Sequence, residues 1–353
     1  MNITIKNNFK LIKLVIFTIY LNVMLTSCFQ EDIPIKPYDR GNAITGIANI
    51  GEDYNTIIYY NLKNNKVVST NQINDWDLAF ETNDTSSYIT LNPAIIGGVF
   101  DLGIANFDTT FTNSAAGKLT WRYDNLSMPI DSGAIGKWWK GNASHPNNVE
   151  SNGHIYIVNL GIDKVGRNLG YRKLQIIKRD SEFYYIKFGN ANSNGANYTE
   201  FKVPIDKKYH RVTFTFKDGG SITNTEPPAY SWDLVFTRYA EYFEEVNFVP
   251  YAINGVLLNP NVCFAYADSS GTKYEDVTSS TYNEKLLSQF SNVLGWDWKK
   301  YNFDLGFYTI RENKIYVIKD FNGYIYKLRF LDFYTPIGGR TTKGNISFEF
   351  IKL

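Results

Sequence analysis

The chain has 353 residues, enough for two domains of ordinary size, and 16% of them are aromatic, with 26 Tyr and 24 Phe. Tyr, Phe, Ile, Val and Thr suit a pleated surface and Asn and Gly suit tight turns, while runs at helical spacing are scarce, so the composition predicts an all-β fold. Net charge is +1, or 1 − 3 = −2 once Lys6, Lys10 and Lys13 of the leader are removed, and no basic stripe stands out, which excludes a nucleic-acid footprint.

The first segment reads as an address. "KNNFKLIKLVIFTIYLNVMLTSC" has a basic start and an apolar run from Leu14 to Leu25, short for a bilayer span, which predicts a cleaved signal over 1–27. "LTSC" (25–28) resembles the lipobox of bacterial lipoproteins, implying that Cys28 is the acylated first residue and the lipid anchor. Only Cys263 then remains, predicted to be a small buried apolar residue, and the mature chain has no intramolecular disulfide. Residues 28–43 carry two prolines and no periodicity, as a tether would. Glu31 and Asp32, just after the cysteine, resemble the surface-export signal of some Gram-negative lipoproteins.

Beyond the tether, two nearly identical strands anchor a repeat. "DWDLAFET" (75–82) and "SWDLVFTR" (231–238) alternate apolar and polar residues after a Trp-Asp start, the period of a half-buried strand. Other pieces fall into step. "EDYNTIIYYNL" (52–62) matches "KKYHRVTFTF" (207–216), and "AIIGGVF" (94–100) matches "YAINGVL" (251–257), with Gly98 against Gly255. "GKWW" (136–139) matches "GWDW" (295–298), "HIYIV" (154–158) matches "KIYVI" (314–318), and "YRKLQI" (171–176) matches "IYKLRF" (325–330). "EFYYIKF" (182–188) matches "NISFEFI" (345–351), and the offsets stay between about 154 and 163 residues, as in a tandem duplication. "KNN" (63–65), "DGG" (218–220) and "FNG" (321–323) predict hairpin turns. "NANSNGAN" (190–197) is the expected boundary between copies, giving domains at 44–189 and 199–353. One helix is predicted over 280–295, where Leu286, Leu287, Phe290 and Leu294 share a face.

Taken in order, "WDLAF", the Gly step, the Trp-bearing loop and the closing "IYVIKDFNGYIYKLRFLDFY…KGNISFEFIKL" resemble the HmuY family of haem-binding lipoproteins. The second copy matches along nearly its whole length, and the first carries an enlarged loop at 159–170. The resemblance implies two tandem HmuY-like antiparallel β-sheet domains on an outer-membrane, surface-exposed lipoprotein. It further implies capture of haem or porphyrin for transfer to a TonB-dependent receptor, without catalysis. Members of the family clamp the iron with two side chains, typically His, one of them shortly after the Trp loop. Carried over residue by residue, that implies His145 after "GKWWKGNAS" in the first copy and Tyr301 after "GWDWKK" in the second, where a phenolate would ligate ferric iron. The upstream ligand falls in "WRYDNLSMPI", implying Tyr123 or Met128.

His154 and His210 fall in strands and are assigned to packing or surface. Metalloprotease, P-loop, nucleophile-elbow and dinucleotide motifs do not occur. Asp77 and Asp233 recur beside a Trp; a glycosidase pair is the functional alternative, but a repeated Asp opening a strand more often bonds backbone. The missing histidine pair keeps open a second function, a non-haem module of the same fold recognising a glycan or a protein through exposed Tyr and Trp.

Overall fold

The computed structural model describes residues 42–353, apart from 113–114, 116–117, 129, 142–147, 194–196, 244–248 and 261. The expectation of an all-β protein holds: the ordered elements are strands and short 3-10 turns, and among the described residues no helix is long and apolar enough to cross a membrane. The first half supplies β1 (Ile44–Asn49), β2 (Thr56–Asn61), β3 (Lys66–Gln72), β4 (Leu78–Glu81), β5 (Ile89–Leu91) and β6 (Gly98–Asp101). It continues with β7 (Val149–Glu150), β8 (Ile155–Asn159), β9 (Tyr171–Arg179) and β10 (Phe183–Asn190). The second half opens with β11 (Tyr198–Pro204), β12 (Arg211–Thr215), β13 (Ser221–Ile222), β14 (Leu234–Tyr242), β15 (Pro250–Leu258) and β16 (Phe264–Asp268). It ends with β17 (Lys299–Asn302), β18 (Phe307–Ile310), β19 (Ile315–Lys319), β20 (Ile325–Asp332) and β21 (Asn345–Lys352).

Alternation sets the faces. In β10, Tyr184, Ile186 and Phe188 are buried while Phe183, Tyr185 and Lys187 are half-exposed. The three hairpin turns fall where the sequence puts them, with Asn65, Asp218 and Gly323 at positive φ. The segment 280–295 is a correction. It forms only a 3-10 turn at Glu284–Leu286, because Ser288 exchanges backbone hydrogen bonds with Ala265 and Ser291 accepts from the Leu258 N–H. Leu286 and Phe290 are consequently exposed and only Leu294 is fully buried.

The strands gather into two lobes whose membership cuts across the sequence repeat. One lobe holds the sheets β11-β10-β9-β8-β6 and β13-β12-β4-β5 around Phe80, Trp138, Tyr184 and Phe214. The other holds β1-β21-β20-β19-β16 and β15-β14-β2-β3 around Tyr60, Phe236, Trp298 and Phe348. Strands on either side of the expected boundary at 190–197 pair with each other, Gly189 opposite Tyr198, so no break between cores falls there. Each repeat instead gives its opening hairpin to the other's lobe: β2 pairs with β14, and β12 pairs with β4.

The two Trp-Asp strands stitch this exchange. Asp77 N–H donates to the Phe214 carbonyl at 2.8 Å, and its Oδ2 accepts from the Thr215 hydroxyl (2.8 Å) and the Phe216 N–H (2.7 Å). Asp233 does the same across the seam, with its N–H on the Tyr60 carbonyl at 2.8 Å and its Oδ2 accepting from Leu62 N–H at 2.7 Å. Asn92 and Asn259 repeat the symmetry, each amide donating to two carbonyls at 2.7 Å around its Trp. The repeated carboxylates therefore bond backbone and hydroxyl groups between copies. Repeated Gly255 has a like origin, since a Cβ there would lie 2.3 Å from the Gly295 carbonyl oxygen.

Burial pushes the Asp233 carboxyl up to about 7, with Asp320 adding to the rise; Cys263, fully buried, donates its thiol to Oδ1 at 3.7 Å. A folded pKa above the unfolded value of about 3.9 means that the native state holds more protons between those values. This group's stabilisation is therefore full below about pH 4 and is lost as pH rises to about 7. Asp233→Asn keeps an oxygen for Leu62 N–H and removes the titration. Urea midpoints across pH 4–7 are expected to fall less in the variant than in the parent; equal slopes would refute the assignment.

Candidate functional site

A cavity of about 290 Å³ opens where the lobes meet, just below the range for small-molecule sites (about 300–1,000 Å³). Glu81, Thr90, His210 and the loop 124–133 form its wall on one lobe, and Pro260, Phe290 and Ser291 line it from the other. A narrower pocket of about 90 Å³ adjoins it, sharing Leu126, Arg211, Pro260 and Ser291.

The loop is held from both sides. Asp124 accepts from Leu91 N–H at 2.6 Å through Oδ2 and from Ala134 N–H at 2.7 Å through Oδ1. Burial raises the pKa of Asp124, and those two backbone donors oppose the rise. From the other lobe, the Asn292 amide donates to Ser127 Oγ at 2.6 Å and the Tyr242 hydroxyl donates to the Asp124 carbonyl at 3.2 Å. Met128, carried on this loop, is half-exposed and lines the cavity.

Buried polar atoms face little compensation here. Glu81 is 5% exposed, its Oε2 has no hydrogen-bond partner among the described residues, and burial pushes its carboxyl up to about 7 against the pull of Arg211. His210 Nε2 is buried, and the ring packs beside Tyr230, Ala229 and Asn259. Burial lowers the pKa of His210 despite nearby Glu226, which favours the neutral imidazole that a metal ion requires. Burial also works against the Arg211 charge, but the carboxylate of Glu226, bonded to its Nε at 3.0 Å and to NH2, more than offsets it and leaves the pKa raised.

The residues singled out from sequence scatter. Cys28 and His145 lie outside the described residues. Tyr123 lays its ring over Gly98, where a Cβ would meet it at 2.8 Å, and burial raises its pKa. Tyr301 stands on the β17–β18 hairpin, edge-on to Phe303 and Tyr308, and does not line either cavity. Met128 alone of the described candidates lines the cleft, and the structure brings it together with His210, which the sequence assigned to packing or surface. His154 fits that assignment, its Nδ1 lying 2.8 Å from Asp101 Oδ2. Nothing local in the sequence flags Glu81 or His210, since the cleft draws on segments more than 200 residues apart.

The family model described as HmuY protein matches residues 53–350. Among solved structures, apo PinO from Porphyromonas gingivitis aligns over 89% of this chain and 98% of its own, at 8% identity and TM-score 0.32. A candidate lipoprotein from Bacteroides fragilis aligns over 88% and 90% (11% identity, TM-score 0.22). A candidate HmuY-like heme-binding protein from Bacteroides vulgatus aligns over 88% and 91% (12% identity, TM-score 0.22). At TM-scores of this size the three likenesses carry no weight. No curated protein matches the chain.

Proposed function

The chain belongs to the HmuY family, and on that premise we propose that it binds haem or a related porphyrin in the cleft between its lobes, with Met128 and His210 supplying the atoms that meet the iron. The observation that carries this is their presence on one cavity, a thioether and a neutral imidazole being a known axial pair for haem iron. Leu126, Ile130 and Phe290 add apolar surface suited to a flat macrocycle. Because Nε2 of His210 is screened from solvent, a porphyrin reaches it only by displacing part of the wall, of which Met128 is a half-exposed side chain.

The chain acts as a binding protein rather than an enzyme, tethered through Cys28 to the outer membrane and passing its cargo to a TonB-dependent receptor. Support for a protein partner comes from the β17–β18 hairpin, which exposes Tyr301, Phe303, Leu305 and Phe307, with Phe303 88% exposed. Two copies of the sequence motif then make one ligand site at their seam.

Adding haemin to the full chain is expected to give a saturable, shifted Soret band at one equivalent. A spectrum no different from free haemin would overturn the proposal. His145→Ala serves as the parallel arm: unchanged binding supports the cleft, and loss of the band would move the iron to His145.

A further inference from the structure

Three turns of one lobe meet at a further cavity of about 380 Å³, which shares no lining residue with the cleft or the narrow pocket. The turn 62–65 between β2 and β3 and the turn 320–323 between β19 and β20 bring Lys63, Asn64, Phe321 and Asn322 to it. The turn 228–231 ahead of β14 adds Tyr230 and Ser231, and β3 adds Lys66. The volume falls inside the range for small-molecule sites, about 300–1,000 Å³.

The frame of this cavity is set by the chain itself. Asn61 accepts the Asn64 N–H at 2.9 Å and donates to the Ser231 carbonyl at 3.2 Å, which ties the first turn to the third. The Ser231 hydroxyl donates to the Pro228 carbonyl at 2.7 Å. In the turn 320–323, Asp320 Oδ1 accepts from the Asn322 and Tyr324 N–H groups, each at 2.8 Å. Asn61, Ser231 and Asp320 are thereby committed to holding the turns, and a ligand meets them already in place.

The side chains left over have complementary chemistry. Tyr230 is 68% exposed, with His210 at 6.0 Å and Phe321 edge-on at 6.2 Å, and its hydroxyl makes no hydrogen bond among the described residues. The exposed Asn64 side chain is likewise unbonded among them, and Asn322 gives only its Nδ2, to Asp320 at 3.3 Å. Lys63 and Lys66 are exposed and have no carboxylate partner among the described residues; Lys63 Nζ stands 5.4 Å from the centre of the Tyr324 ring. No acidic residue lines the cavity. An exposed aromatic ring offers the C–H face of a sugar a surface to stack on, and an amide offers each hydroxyl both a donor and an acceptor. Two lysines without an acid favour a sugar that carries negative charge.

We propose that this cavity binds an acidic saccharide, a hexuronate unit stacked on Tyr230, with its hydroxyls on Asn64 and its carboxylate held by Lys63 and Lys66. The site stands apart from the cleft, so the proposal does not rest on the porphyrin reading.

The test is saturation-transfer NMR of the full chain with D-glucuronate, D-glucose and acetate at equal ionic strength. Glucuronate is expected to bind saturably, glucose about tenfold more weakly, and acetate not to compete. Tyr230→Ala is expected to weaken glucuronate binding about tenfold, and Tyr230→Phe, which keeps the ring, to bind nearly as the parent does. Lys63→Gln combined with Lys66→Gln is expected to abolish the preference for glucuronate over glucose. Near-UV circular dichroism on each variant separates lost binding from lost packing. No saturation up to about 50 mM glucuronate, equal competition by acetate, or parental affinity in a folded Tyr230→Ala would overturn the site. Glucose binding as tightly as glucuronate would overturn the acidic class. None of these readouts involves haemin, so either proposal can fail while the other stands.

Discussion

Asp77→Ala is expected to lower the free energy of unfolding by about 2–5 kcal/mol, measured by urea titration of the full chain. The loss leaves the buried Phe216 N–H and the Thr215 hydroxyl without their acceptor, at about 1–3 kcal/mol each. Both donors belong to the opening hairpin of the second half, so the damage falls on the exchange that joins β12 to β4. Asp77→Asn keeps an acceptor oxygen and is expected to cost much less. An alanine variant as stable as the parent would mean that the carboxylate does not hold the exchanged hairpin.

His210→Ala is expected to weaken haemin binding about tenfold or more and to change the visible spectrum from that of six-coordinate iron to that of five-coordinate iron. Burial lowers the pKa of this imidazole, which favours the neutral form that binds iron. Met128→Leu preserves apolar volume and removes the sulfur, and it is expected to alter the spectrum with a smaller loss of affinity. His154→Ala is the control, because that ring is tied to Asp101 at 2.8 Å. Identical spectra for His210→Ala and the parent would remove His210 from the iron.

Much of the fold was legible because strand faces, hairpin turns and the repeat are local or periodic signals. Alternation in "EFYYIKF" names the buried face of β10, and "DGG" names the turn between β12 and β13, without any knowledge of neighbours. The choice of neighbour is not local. Nothing in "TIIYYN" says that it pairs with "LVFTRY" across some 170 residues rather than within its own repeat, so the exchange of hairpins had no sequence signature. The predicted helix over 280–295 failed for a related reason: its apolar spacing is real, but bridges to Ala265 and Leu258 take the backbone groups that a helix would use.

The cleft was less legible than the fold. Met128 drew attention as a rare chemical type, whereas His210 looked like one more residue of a strand beside Tyr209 and Arg211. Its significance comes from position, at the end of a hairpin given to the other repeat's lobe, facing a loop that starts over 80 residues earlier. The Trp76 and Trp232 pair is intermediate. Sequence reveals the repetition, and only the fold reveals that both residues line one pocket.

The central claim is that one porphyrin sits at the seam of two interwoven lobes. Crystals of the full chain grown with haemin, measured at the iron absorption edge, locate the metal directly. The account requires a single anomalous peak in the cleft, within coordination distance of His210 Nε2 and close to Met128 Sδ. A peak at His154, His145 or Tyr301 would contradict it.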